Sequence, residues 1–136
     1  DLAKDTRARL VPGRAPMLAW LSMCVAAARI HGIDILDGVY NDIGNPDGFA
    51  KECAQGLELG FDGKTLIHPS QIEPCNKAFS PSPAEVEQAR KMIGAFDKPE
   101  NKGKGVVSID GRMVERLHAD MARRTVAIAE AISART

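Results

Sequence analysis

The sequence predicts an α/β protein built on parallel strands, and it reads as the carboxy-terminal part of a larger one. Three observations carry this. Two β-rich runs, "IDILDGVY" (33–40) and "KTLI" (64–67), alternate with stretches of helical periodicity, and strands separated by helices pair in parallel. Two parallel strands cannot by themselves bury both faces of such a sheet. The chain also opens on Asp1-Leu2-Ala3, with no methionine and no lead-in.

Taken in order, the first helix is expected from Pro16 to about His31, with Gly32 ending it. The longer segment "RLVPGRAPMLAWLSMCVAAAR" (9–29) also has the outline of a secretory signal: a basic front, an apolar middle and an Ala-rich end. Its apolar stretch is shorter than the roughly 20 apolar residues a bilayer span needs, and Asp5 stands among the basic residues at its front, so the helix reading is preferred. "IDILDGVY" is a buried strand closed by Asp-Gly, and "NDIGNPDG" (41–48) is turn chemistry. A helix is expected over 49–59, stopped by Gly60. The strand "KTLI" and a short helix in "PSQIEPCNKAF" follow.

The second half carries stronger local signals. Ser82-Pro83-Ala84-Glu85 is a capping box with proline at the first helical position. Val86, Ala89, Ile93 and Phe96 then recur at helical spacing. "KPENKGKG" (98–105) is a polar loop, and Asp110-Gly111 inside "GVVSIDGRMV" predicts a hairpin. A long helix from about Glu115 to Ser133 carries Leu117, Met121, Thr125, Ile128 and Ile132 on one stripe, which reads as core or subunit packing.

Composition narrows the function. With 44% hydrophobic and 26% charged residues the chain is ordinary globular material. Lys plus Arg equals Asp plus Glu at 18 each, so no net field favours nucleic acid or an anionic membrane. Cys24, Cys53 and Cys75 form no CxxC motif and stand at no zinc-ligand spacing from His31, His68 or His118. They read as reduced thiols of a cytoplasmic protein.

In α/β folds ligands gather at the carboxyl ends of strands. Asp1, the run from Asp37 to Asp42, and Ile67-His68-Pro69 fall at such ends. A carboxylate there can serve as one of few protein ligands to Mg²⁺, although for a single Asp a cap or turn is the simpler role. His68 can end a strand, and Pro69 can open a helix whose amides face an oxygen ligand; the spacing leaves both readings open.

"DGVYNDIGNPDGF", "GFDGKTLIHPSQI" and "GKGVVSIDGRMVERLHADMARRTVAIAEAI" resemble the citrate lyase β-subunit-like, or CoA ester lyase, family, relatives of malyl-CoA lyase in the HpcH/HpaI aldolase superfamily. The resemblance covers nearly the whole chain, and the Gly-Phe-Asp-Gly-Lys-Thr-Leu-Ile-His-Pro run is its most specific part. It implies the carboxy-terminal part of a TIM (β/α)8 barrel, from the end of strand 6 through strand 8. Residues 1–97 would belong to the barrel, and residues 98–136 to an extension packing on a neighbouring subunit. It implies a Mg²⁺-dependent carbon–carbon lyase cleaving a malyl-CoA-like 3-hydroxyacyl-CoA to an acyl-CoA and a 2-oxo acid such as glyoxylate. Asp1 would be a Mg²⁺ ligand, its glutamate partner and the family's substrate-binding arginine lying outside this chain. Asp37, Asp42, Ile67, His68 and Pro69 would form the thioester-binding surface without transferring protons.

Met113-Val114-Glu115 resembles the family's Met-[Ile/Val]-[Asp/Glu] segment, whose acidic residue reaches a neighbour's site in a trimer or hexamer. Glu115 is therefore the catalytic candidate, with a helix-start carboxylate as the equal alternative. A citrate lyase β-subunit acting on an acyl-carrier-protein thioester, and an inactive half-barrel, are the rival readings. A piece lacking half its metal site is expected to be inactive alone.

Overall fold

The computed structural model describes residues 1–135, and the chain separates into two compact units, the first spanning Asp1–Phe79 and the second beginning at Ser80. Within the second unit the helix over 83–97 packs with the hairpin and terminal helix that follow it.

The first unit opens with a helical turn, α1 (Leu2–Thr6), for which the sequence carried no expectation. A 3₁₀ stretch from Pro12 to Met17 leads into α2 (Leu18–Ile30), ended as expected at Gly32, whose φ of 63° is left-handed. α2 buries only Val25 and Ala28. Strand β1 (Leu36–Asp37) pairs in parallel with β2 (Gly63–Lys64), in the register Leu36 to Gly63 and Asp37 to Lys64. Backbone bonds from Asp62 N to Ile35 O and from Thr65 N to Asp37 O frame this short ladder. The parallel pairing agrees with the expectation, but the paired strands are shorter than 33–40 and 64–67. The amide of Ile67 turns instead to the Gln71 side chain, 3.1 Å away, and so leaves the ladder.

Between the strands runs α3 (Pro46–Leu59), which starts three residues earlier than the pattern suggests. Asn45 accepts a hydrogen bond from Gly48 N, Pro46 takes the first helical position, and Gly60 at φ 95° closes the helix. Phe49, Cys53 and Gly56 recur at i, i+4 and i+7 and form its buried face. Phe49 and Cys53 make one core cluster with Cys75 of α4 (Ile72–Phe79), and Tyr40 and Phe79 pack against it. Cys24 is exposed; all three cysteines are free thiols.

In the second unit α5 (Pro83–Asp97) begins at the expected capping box, Ser82 Oγ accepting from Glu85 N while Glu85 accepts from Ser82 N at 2.7 Å. Strands β3 (Val106–Ile109) and β4 (Arg112–Glu115) form the expected antiparallel hairpin, with Asp110 and Gly111 both at positive φ (50° and 76°) in its two-residue turn. Phe96, Val107, Val114 and Ala119 build this unit's core. α6 (Arg116–Ser133) buries Ala119 and Ala122. The expected stripe is thus not core within the chain: Leu117 and Met121 are each 62% exposed and Ile132 41%. Small side chains let α6 approach α5 closely, and the long ones point elsewhere. Among the described residues no helix is long and apolar enough to cross a membrane.

Candidate functional site

The first unit is organised around Asp37, whose side chain is wholly enclosed at the end of β1. A buried carboxylate survives only with opposite charge and hydrogen bonds around it, and Asp37 has both. Arg14 Nη1 donates to Oδ1 at 2.7 Å and Oδ2 at 2.9 Å, Lys64 Nζ donates to Oδ2 at 3.0 Å, and Gly38 N donates to Oδ1 at 2.8 Å. Lys64, equally enclosed on the paired strand, also donates to Glu52 Oε1 of α3 at 2.7 Å. Two cations therefore meet two carboxylates from four segments of the chain.

Arg14 arrives from a turn in which Gly13 (φ 77°) and Arg14 itself (φ 53°) are both left-handed. For a residue with a Cβ this conformation is costly. It is held by a clamp: Arg14 Nε donates to Gln55 Oε1 at 2.9 Å, and Gln55 Nε2 donates back to Gly13 O at 2.7 Å. Arg14 Nη2 is buried without a hydrogen-bond partner among the described residues. Burial alone would raise the Asp37 pKa, but the Arg14 hydrogen bond and the Lys64 charge outweigh it and hold the carboxyl below its usual range. Asp37 is thus an anion at neutral pH, paired there with Arg14 and Lys64.

Gly56 faces this cluster. A Cβ there would stand 3.1 Å from Asp37 Oδ2 and 3.5 Å from the Phe79 ring. Alanine normally stabilises a helix by up to about 1 kcal/mol over glycine. Here Asp37 is pinned and cannot yield, so Gly56→Ala is expected to lower stability by about 1–2 kcal/mol, readable as a lower urea midpoint. An unchanged or raised midpoint would mean that the carboxylate has room to move.

Beside the cluster lies a cleft of about 750 Å³ whose walls include Val11, Arg14, Tyr40, Asp42, Asn45 and Glu52. The two buried thiols, Cys53 of α3 and Cys75 of α4, are poor nucleophiles: burial and the neighbouring Cys75 push Cys53 up to about 11, and burial raises Cys75 as well. The structure distributes the sequence-named residues unevenly. Asp42 lines the cleft; Asp37 does not, and it meets the cleft only through Arg14, which does. Ile67, His68 and Pro69 form an exposed turn outside the cleft lining, and His68 Nδ1 accepts from Ser70 N at 3.2 Å, which fixes the ring as a helix-start cap.

Asp1 is exposed at the start of α1 and makes no side-chain cap hydrogen bond. Glu115 ends β4 and precedes α6 in the second unit, its amide donating to His118 Nδ1 at 3.0 Å. No group of three or more His, Cys, Asp or Glu that could hold a metal occurs among the described residues. An exposed carboxylate such as Asp1 could serve a hard cation only as a single oxygen ligand, the cation keeping several waters. Arg14, Glu52, Lys64 and Gln55 were not singled out from sequence. The available signal is a lysine in an apolar strand and an arginine set between Pro12-Gly13 and Ala15-Pro16.

An α/β unit with charged groups gathered at the ends of parallel strands is the class defined by this geometry. The chain belongs to the HpcH/HpaI aldolase/citrate lyase family, whose model matches residues 1–69. It is 53% identical over 134 residues to a (3S)-malyl-CoA thioesterase of Cereibacter sphaeroides, covering 98% of this chain and 47% of that protein. It is 37% identical over 130 residues to the citrate lyase subunit beta of Escherichia coli, covering 96% and 43%. The chain thus spans about half the length of the curated relatives it matches. Among solved structures, protein CitE from Mycobacterium tuberculosis, in complex with magnesium, acetoacetate and coenzyme A, superimposes with a TM-score of 0.70 at 29% identity, covering 86% of this chain and 42% of that one.

Proposed function

We propose that the chain is the carboxy-terminal part of a TIM-barrel CoA ester lyase, which cleaves the carbon–carbon bond of a malyl-CoA-like 3-hydroxyacyl-CoA. The observation that carries this is the CitE likeness, because that protein is in complex with magnesium, a small oxo acid and coenzyme A. The relative named for (3S)-malyl-CoA supports the four-carbon acyl group. In the reaction the 3-hydroxyl proton leaves, the bond between the two central carbons of the malyl group breaks, and its electrons pass to the thioester as an enolate. The enolate is then protonated to acetyl-CoA, and glyoxylate departs. Bound Mg²⁺ would supply Lewis-acid polarisation of the oxo-acid oxygens, with Asp1 as its one ligand from this chain.

The residues of this chain have separate tasks in this reading. Asp42 and the cleft wall held by the Asp37 cluster orient the thioester, with Ile67, His68 and Pro69 extending that surface. Glu115, brought to a neighbouring subunit's site in a trimer or hexamer, moves the proton at the enolate carbon. The apolar side chains exposed on α6 suit such an assembly, since large exposed apolar patches are uncommon on monomers. The protein acts in the cytoplasm, where acyl-CoA thioesters are made.

The thioesterase relative favours a second reading, in which water attacks the thioester carbonyl and releases malate and coenzyme A. The test is the full-length enzyme with malyl-CoA and Mg²⁺. Substrate is expected to disappear with metal present, to persist after chelation, and to be consumed again when Mg²⁺ is restored; metal-independent consumption would overturn the proposal. The 136-residue chain alone is expected to be inactive, half of the metal's protein ligands being elsewhere.

A further inference from the structure

Gln71 has no task in the chemistry above, yet it is buried to 3% exposure, and its two polar ends are spent on two different loops. Its Oε1 accepts from Ile67 N at 3.1 Å, and its Nε2 donates to Tyr40 O at 3.0 Å. The first bond holds the turn after β2, four residues away. The second crosses 31 residues of sequence to the loop after β1, where Tyr40, Asn41 and Asp42 form part of the cleft wall. The Tyr40 ring is fixed independently, edge-on to Phe49 with centroids 5.8 Å apart.

We infer that Gln71 is a positioning residue, a buried amide that locks the two strand-end loops together as one binding surface for the thioester. This rests on the function proposed above. Packing alone would be served by an apolar side chain, and a buried amide is tolerated because both of its ends are satisfied. The consequence is mutual: the Ile67-His68-Pro69 turn and the Tyr40–Asp42 wall move together or not at all. Gln71 itself does not reach the cleft, so its contribution must appear as affinity and not as chemistry.

The experiment uses the full-length enzyme and coenzyme A as the probe, with affinity read by calorimetry and kcat read separately. Gln71→Met removes both bonds at nearly constant volume. It is expected to weaken coenzyme A binding roughly tenfold, the order of two lost hydrogen bonds, while kcat at saturation changes less than about twofold. Gln71→Glu adds a signature that packing lacks. A protonated carboxyl can accept from Ile67 N and donate to Tyr40 O, whereas a carboxylate cannot donate. Its affinity should approach the wild type near about pH 5 and fall toward that of Gln71→Met near about pH 8.

Unchanged affinity in Gln71→Met overturns the inference, whether or not its melting temperature falls, and so does a loss confined to kcat. A wild type that binds no coenzyme A fails at the earlier step and removes the functional reading together with this one. Binding by the wild type that Gln71→Met leaves intact removes only this one.

Discussion

Asp37→Ala is expected to cost about 3–5 kcal/mol of folding stability near neutral pH, the usual loss when one partner of a buried ion pair is removed. The substitution leaves Lys64, fully enclosed, with Glu52 alone, and leaves Arg14 with only the longer Glu52 contact, 3.7 Å away, as its ion pair. The loss should depend on acidity, with a definite sign. Asp37 has a lower pKa folded than unfolded, so its contribution is fully present above the unfolded value and disappears as pH falls through the folded one. Wild type and variant should therefore converge in acid, below about pH 4, and differ most at neutral pH. Urea denaturation at both pH values checks this. A loss below about 1 kcal/mol at neutral pH would mean that Arg14 and Lys64 find other partners, and that Asp37 does not organise the site.

Asp1→Asn in the full-length enzyme is expected to lower both Mg²⁺ affinity and turnover far more than it lowers stability. Asp1 is exposed and its side chain makes no cap hydrogen bond, so the fold asks little of it. Asparagine keeps the size and removes the charge, and a hard cation binds an amide oxygen less well than a carboxylate. Replacing a partner of a metal ligand commonly costs ~10–100-fold, and losing a ligand's charge should cost at least that. Metal titration and turnover measured on the same preparation, with a melting curve as control, separate these effects. Near-normal rate and metal affinity would remove Asp1 from the metal site.

The parts of this chain that were legible in sequence are those decided within a few residues. The Ser82 capping box, the Asp110-Gly111 hairpin and the glycine stops after α2 and α3 are local backbone chemistry, and each stands where the sequence puts it. The start of α3 was read three residues late, because Asn45-Pro46 serves both as turn chemistry and as a helix cap. "KTLI" looked like a strand over its whole length. Its pairing ends beside Lys64 because the Ile67 amide is taken by Gln71, a choice that apolar patterning does not record.

The Arg14, Asp37, Glu52 and Lys64 cluster was the least legible feature. Its members come from a loop, a helix and two strands, and the sequence treats each as an isolated charge. Arg14 in particular sat in what reads as the basic front of an apolar segment. For α6 the periodicity identified an apolar stripe correctly, but the burial of Ala119 and Ala122 was decided by how closely α5 approaches.

The measurement that bears most directly on the proposed reaction is the product balance of the full-length enzyme acting on malyl-CoA with Mg²⁺. Carbon–carbon cleavage yields one glyoxylate and one acetyl-CoA per substrate, with the thioester intact at the end of the lyase step. Equimolar glyoxylate and acetyl-CoA at early times, with free coenzyme A absent or appearing only later, is the expected result. Malate and free coenzyme A from the first turnovers, with no glyoxylate, would contradict the account and make the protein a thioesterase.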